Sequence, residues 1–157
     1  MTPEQAFIQA TKTRAKAYFY LYEELSKEFG DEKACEVFSR AIYRLGIDKS
    51  GKFSDRAGLC AMAFAEEFVK DPVSSKVFSQ NVLEADNENA RIEMKSCPLV
   101  DTWKEMKLSC DTIKLMCDLA CQVDFGTIES KGYKLYFPQR IACGDESCIL
   151  EVRRNKK

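Results

Sequence analysis

A single α+β domain, with a four-stranded antiparallel sheet built from two β-hairpins, is the fold class the sequence predicts. Three observations carry it. Apolar residues recur at helical spacing through the first 70 residues, charged and apolar residues alternate around two turn-forming clusters further on, and two more helical stretches separate those clusters. With 157 residues the chain has the length of one domain, divided into a helical part, 1–72, and a part with two strands, two helices and two strands, 73–157.

The elements follow in order. Thr2, Pro3 and Gln5 form a capping-box pattern with proline at the first helical position, and Phe7, Ala15, Phe19, Tyr22, Leu25 and Phe29 make an apolar stripe that Gly30 stops. Asp31 caps a second helix, whose Ala34, Val37, Phe38, Ala41, Ile42 and Leu45 keep the period until Gly46, and a polar loop follows over 48–52. Ser54 opens a third helix through Leu59, Met62, Ala63 and Phe68, which Asp71-Pro72 ends.

Beyond Pro72 the rhythm changes. Residues 76–85 read as a strand, Asp86-Asn87-Glu88-Asn89 as its turn, and Arg91 to Lys95 as a second strand with one solvated face. Cys97-Pro98 begins a short helix through Leu99, Val100, Trp103 and Met106, and a further helix runs from about Ser109 to about Phe125. The second hairpin comprises Lys134 to Cys143, a turn at Gly144-Asp145-Glu146-Ser147, and Cys148 to Arg153, with Pro138 marking an edge or bulged strand.

The chain has eight cysteines and no histidine, which excludes a Ser-His-Asp triad, a Cys-His pair and every imidazole metal site. Its chemistry must come from thiols and carboxylates. The 24 basic and 25 acidic residues leave a net charge of -1, and the only basic block is the terminal Arg153-Arg154-Asn155-Lys156-Lys157, so a nucleic-acid partner is not expected. No stretch reaches the roughly 18 apolar residues that cross a bilayer and the first residues lack a leader pattern, so a cytoplasmic protein with reduced thiols and no membrane partner is expected.

Two regions concentrate candidate residues. Cys97 sits at a helix start, where unpaired amides and the positive dipole end favour a thiolate. Cys110, Cys117, Cys121 and Asp124 lie on one side of the 109–125 helix, since their offsets return to within roughly 40° of one direction at about 100° per residue. An Asp aligned with such a face is costly to bury unpaired and must meet a partner, a ligand or water. Cys35 and Cys60 read as core, and Asp145 as a turn residue.

Lys95-Ser96-Cys97-Pro98-Leu99, Cys121-Gln122-Val123-Asp124 and Gly144-Asp145-Glu146-Ser147-Cys148, in that order and spacing, resemble the L-2-amino-thiazoline-4-carboxylic acid hydrolase family. The resemblance spans roughly residues 14–153. It departs at Ser130-Lys131-Gly132, where the family has Asn-Pro, and at Ile149, where it has an aromatic. It implies opening of a cyclic amidine to an N-carbamoyl cysteine, with Cys97, Cys121, Asp124 and Cys148 as the catalytic set. Such chemistry needs a nucleophile, for which Cys97 or Cys121 are candidates, and a proton donor for the departing nitrogen, for which Asp124 or Asp145 are candidates. It also needs a group to hold the substrate carboxylate, among Arg140, Arg91 and Lys95.

A second class of function competes. Cys97, Cys121 and Cys148, with Cys117, Cys143 or Asp124, are candidate ligands for zinc or an iron-sulfur cluster in a small-molecule sensor similar to the 4-vinyl reductase domain. The spacings lack a Cys-x-x-Cys knuckle. A third class is an interaction module, in which an exposed apolar patch on the first helix would mark a homodimer.

Overall fold

The first helix, α1 (Pro3–Phe29), starts as the capping box requires, with the Gln5 amide donating to the Thr2 hydroxyl at 3.1 Å and the Thr2 amide to the Gln5 side chain at 2.8 Å. These features belong to a computed structural model that describes residues 1–156, so Lys157 of the basic tail lies outside the described residues. Gly30, at φ 82°, ends α1 and serves as N-cap of α2 (Asp31–Ser50). Asp31 is therefore the first residue of α2 and not its cap.

Several boundaries differ from expectation, among them that of the strand expected over 134–143, which ends at Gln139. α2 continues through Gly46 to Ser50, because that glycine is a packing position rather than a stop. The third expected helix is two, α3 (Asp55–Leu59) and α4 (Ala61–Phe68), separated by Cys60 in extended conformation. The Ala61 and Met62 amides there donate to the Asn87 and Asp86 carbonyls of the first hairpin turn. Residues expected to begin a strand instead form α5 (Pro72–Phe78), because the Asp71 carboxylate accepts from the Val73 and Ser74 amides, both at 2.9 Å, and Pro72 suits the first turn. The 109–125 helix is likewise two, α7 (Cys110–Ala120) and α8 (Gln122–Glu129), joined at Cys121.

The strands are β1 (Gln80–Ala85), β2 (Asn89–Met94), β3 (Tyr133–Gln139) and β4 (Cys148–Arg154), with α6 (Pro98–Glu105) after the first hairpin and a 3-10 turn, 141–143, inside the second. They form one antiparallel sheet in the order β1-β2-β4-β3, so the expected α+β class holds. The two hairpins join through their more buried strands, with Ala90 opposite Val152 and Ile92 opposite Leu150. One face carries these buried residues. The other carries Arg91, Glu151 and Arg153, linked by ion pairs of 3.7 and 2.6 Å.

Two apolar clusters result. One gathers Trp103, Val100, Met116 and Ile113 with the inner faces of α1 and α2; the other sets Phe64, Ile128 and Tyr133 on the sheet. Trp103 ties α6 to α1 through its indole N–H, which donates to the Ala15 carbonyl at 3.0 Å. On the outside of α1, Tyr20, Leu21 and Phe29 are exposed. No described helix is long and apolar enough to cross a membrane.

Candidate functional site

Between the two clusters lies a cavity of about 180 Å3. Val100, Trp103 and Cys117 of the first cluster and Phe53 of the second share its wall. Cys97, Cys121, Asp124 and Cys148, from three separate places in the chain, all line it. Of the thiol face expected on one long helix, Cys110, the first residue of α7, is exposed and does not line the cavity, whereas Cys117, Cys121 and Asp124 share its wall across the junction of α7 and α8.

The position of Asp124 follows from the packing of α8. A Cβ on Gly46 would lie 2.2 Å from the Val123 carbonyl oxygen, and one on Gly126 would lie 2.1 Å from that of Tyr43, so α2 and α8 cross backbone to backbone. The Thr127 hydroxyl donates to the Gly46 carbonyl at 3.0 Å and secures the crossing. The end of α2 is thereby brought beside the start of α8, and Lys49 stands near Asp124 on the same cavity wall. Arg14, three residues beyond the buried Thr11 on α1, completes this group.

Among the described residues, no hydrogen bond or ion pair reaches the Asp124 carboxylate. Burial pushes it up to about 6, against the pull of Lys49 and Arg14. Arg14, Lys49 and Lys52 are exposed where they line the cavity and have no ion-pair partner among the described residues, which places them at its rim. Burial pushes Lys49 down, while Asp124 supports its charge.

The thiols differ from one another. Cys97 is the N-cap of α6, but its side chain makes no capping hydrogen bond. Burial pushes it up to about 12, and the helix-start amides of Val100 and Leu99 only partly offset this. The expectation that the helix start favours a thiolate at Cys97 is therefore corrected: desolvation outweighs the helix terminus. Burial also raises Cys148, whose sulfur accepts from the Ile141 amide at 3.3 Å. Cys117 and Cys121 lie 3.7 Å apart, sulfur to sulfur. The hydrogen bond between them lowers Cys117 and raises Cys121, and the Arg140 guanidinium, 3.7 Å from the Cys117 sulfur, adds to the lowering.

The family of L-2-amino-thiazoline-4-carboxylic acid hydrolases matches residues 10–151, nearly the whole chain. The chain belongs to this family. No curated protein matches it. In fold, this hydrolase-family chain is similar to a trafficking protein particle complex subunit 3 from Naegleria fowleri covalently bound to palmitic acid. The TM-score is 0.63 at 16% identity, over 92% of this chain and 94% of that one. It is also similar to the phenol-responsive sensory domain of the transcription activator PoxR with phenol, with a TM-score of 0.55 at 16% identity over 88% of this chain and 73% of that one.

Several expectations within the hydrolase-family site are corrected. Arg140, Arg91 and Lys95, expected to hold a carboxylate, do not line the cavity. Arg140 pairs with Asp118, Arg91 with Glu84 and Glu151, and Lys95 with Glu93. Asp145 accepts from the Arg140 amide at 2.9 Å and serves the turn. The thiolate metal site finds no ligand set: among the described residues, no group of three or more Cys, Asp or Glu side chains is arranged to hold a metal ion. Cys143 stands exposed on the 3-10 turn, away from Cys97, Cys117, Cys121 and Cys148, which line the cavity. Sequence reasoning missed Arg14, Lys49 and Lys52. An exposed cation on a helix has no local signal, and Lys49 sat in what read as a polar loop.

Proposed function

We propose that this chain hydrolyses a cyclic amidine carboxylate, opening 2-amino-thiazoline-4-carboxylate to an N-carbamoyl cysteine within the cavity. The observation that carries the proposal is the unpartnered Asp124 carboxylate, which shares one cavity wall with four thiols and three unpaired cations. A half-buried carboxylate that faces a cavity without a partner awaits a donor, and exposed cations without carboxylates await an anion. A zwitterionic ring bearing an amidine at one end and a carboxylate at the other supplies both.

Water adds its oxygen to the carbon between ring nitrogen and sulfur, and the carbon–sulfur bond breaks. One proton of water ends on the ring nitrogen and the other on the departing sulfur. An N-carbamoyl cysteine keeps its nitrogen, so the leaving atom is sulfur, and the expectation of a departing nitrogen is corrected by the product itself.

Asp124, ionised above about 6, takes the proton from water as general base. Cys97, Cys121 and Cys148, which burial holds as thiols, are poor nucleophiles and weaker acids than the departing thiol, so they donate hydrogen bonds to the departing sulfur while its proton comes from solvent. Arg14 and Lys49 hold the substrate carboxylate.

Mass spectrometry of product formed from the thiazoline tests the reading. Asp124→Asn should lose roughly 100-fold or more of turnover, the usual size of a general-base contribution. Arg14→Gln and Lys49→Gln should raise KM with kcat nearly kept, as loss of uniform binding does. Undiminished turnover in Asp124→Asn sinks the assignment. A second reading, a module that binds such an acid without opening it, draws support from the likeness in fold to a phenol-responsive sensory domain. Binding with no product would select it.

A further inference from the structure

Cys117 is the buried group that the proposed hydrolysis leaves without a task. Four features set it apart from a cysteine that merely fills core. Its sulfur lies 3.7 Å from that of Cys121. A guanidinium nitrogen of Arg140 lies 3.7 Å away on another side. Arg140 is itself oriented by Asp118, one residue after Cys117 on α7, and most of its side chain is withdrawn from solvent. Finally, both sulfurs line the cavity, which gives a small reagent a route to them.

An apolar thiol needs no cation. The Asp118 carboxylate offsets the burial of the guanidinium and holds it beside the Cys117 sulfur, and a cysteine beside arginine is the environment in which thiolates form and react. The second thiol stands one helical turn away, on the last residue before α7 yields to α8.

We propose that Cys117 and Cys121 form a peroxide-reactive dithiol, with Cys117 as the attacking sulfur, Cys121 as the resolving thiol and Arg140 as the residue that positions and stabilises the attacking thiolate. The oxidant is a small hydroperoxide. The Cys117 thiolate attacks the peroxide oxygen, so that a sulfur–oxygen bond forms, the oxygen–oxygen bond breaks, and the alkoxide or hydroxide released takes a proton from solvent. The Cys121 sulfur then attacks the sulfenic acid. A disulfide forms, the sulfur–oxygen bond breaks, and the hydroxide leaves with the Cys121 proton as water. Two thiols and one hydroperoxide thus become one disulfide, one alcohol or water, and one further water.

The backbone allows the second step at one place. Residues four apart on a helix hold their Cβ atoms about 5–6 Å apart, whereas a disulfide needs roughly 3.8 Å, so the last turn must open. The Cys121 amide still donates to Cys117 at 2.9 Å, but Asp124 donates to Cys121 in a tighter three-residue turn, also at 2.9 Å, so regular α-helix already ends there.

The test uses the full chain with the exposed Cys110 and Cys143 changed to Ser, reduced and then treated with stoichiometric hydrogen peroxide. Remaining thiols are blocked with N-ethylmaleimide before tryptic digestion. Cys117 and Cys121 fall in one tryptic peptide, 115–131. The expected result is that this peptide loses the mass of two hydrogens, escapes blocking, and recovers both thiols with dithiothreitol. Cys121→Ser should accumulate a dimedone-reactive sulfenic acid at Cys117, and Cys117→Ser should leave Cys121 reduced. Arg140→Gln should slow the oxidation about tenfold, with partial rescue by Arg140→Lys, a pattern that loss of packing alone would not give. A disulfide from Cys117 to Cys97 or Cys148, oxidation of Cys121 at an unchanged rate without Cys117, or an unchanged rate in Arg140→Gln would each overturn the proposal.

Discussion

In the proposed reaction Asp124 serves catalysis at the expense of stability. Because burial raises it to about 6 from an ordinary 3.8, the folded chain keeps this proton over a range in which the unfolded chain has lost it. The native state binds more protons between those values, so its stability falls as pH rises from about 4 to about 6 and is level above. Urea titrations at a series of pH values should show this slope in the wild type and not in Asp124→Asn. At neutral pH the variant should be the more stable by on the order of 2 kcal/mol. Activity should run the opposite way, with kcat/KM rising through about pH 6 as the base ionises. A wild-type rate that is flat between pH 5 and 7 would remove Asp124 from the base role. At this scale the sequence was partly legible. Cys97 stood out at a helix start, Cys121 and Asp124 by helical spacing, and Cys148 through the family resemblance, whereas the order of their acidities did not, because desolvation is a property of the assembled wall.

At the scale of elements, the Gly46–Gly126 crossing decides where Asp124 stands. In an exposed helix interior, Gly→Ala is favourable by up to about 1 kcal/mol. Here the atoms that a new Cβ would strike are backbone, so either substitution must force α2 and α8 apart. Gly46→Ala and Gly126→Ala are each expected to cost about 1–3 kcal/mol or more in urea unfolding and to weaken turnover, since α8 carries Asp124. A stabilised Gly46→Ala would show that the helices do not touch there. The same glycine explains why α2 ran past its expected end: a residue that breaks a helix locally is retained when its missing side chain lets two backbones meet. Asp71 and Pro72 misled in the opposite sense. They marked an ending correctly, yet the same pair caps α5, and the β-tolerant residues behind them followed the cap. Cys121 interrupts a helix with no glycine or proline within three residues, so nothing in the local sequence marks that break, and at Cys60 the one local sign is Gly58 two residues earlier.

At the scale of the whole molecule, the α+β class was legible because two alternating segments with strong turns leave few arrangements, while the strand order was not. The hairpins meet through β2 and β4, where Ala90 and Ile92 face Val152 and Leu150, a pairing between segments more than 50 residues apart in sequence. Two apolar clusters then close over a cavity whose walls belong to both, and with three unpaired cations at its rim. An anionic ligand seated there touches both clusters and relieves the repulsion among Arg14, Lys49 and Lys52, so occupancy must stabilise the entire fold and not one element. The ring-opened product, an N-carbamoyl cysteine, tests this without being consumed. At about 100 times its Kd it should contribute roughly 2.7 kcal/mol, which for a chain of this size corresponds to a rise in Tm of about 5–10 °C. The rise should shrink in Arg14→Gln and Lys49→Gln and with added salt, because rim charges in contact with solvent are screened. An equal rise from the uncharged amide of the same molecule would show that the cations do not recognise the carboxylate, and would move the anion-binding part of the site elsewhere.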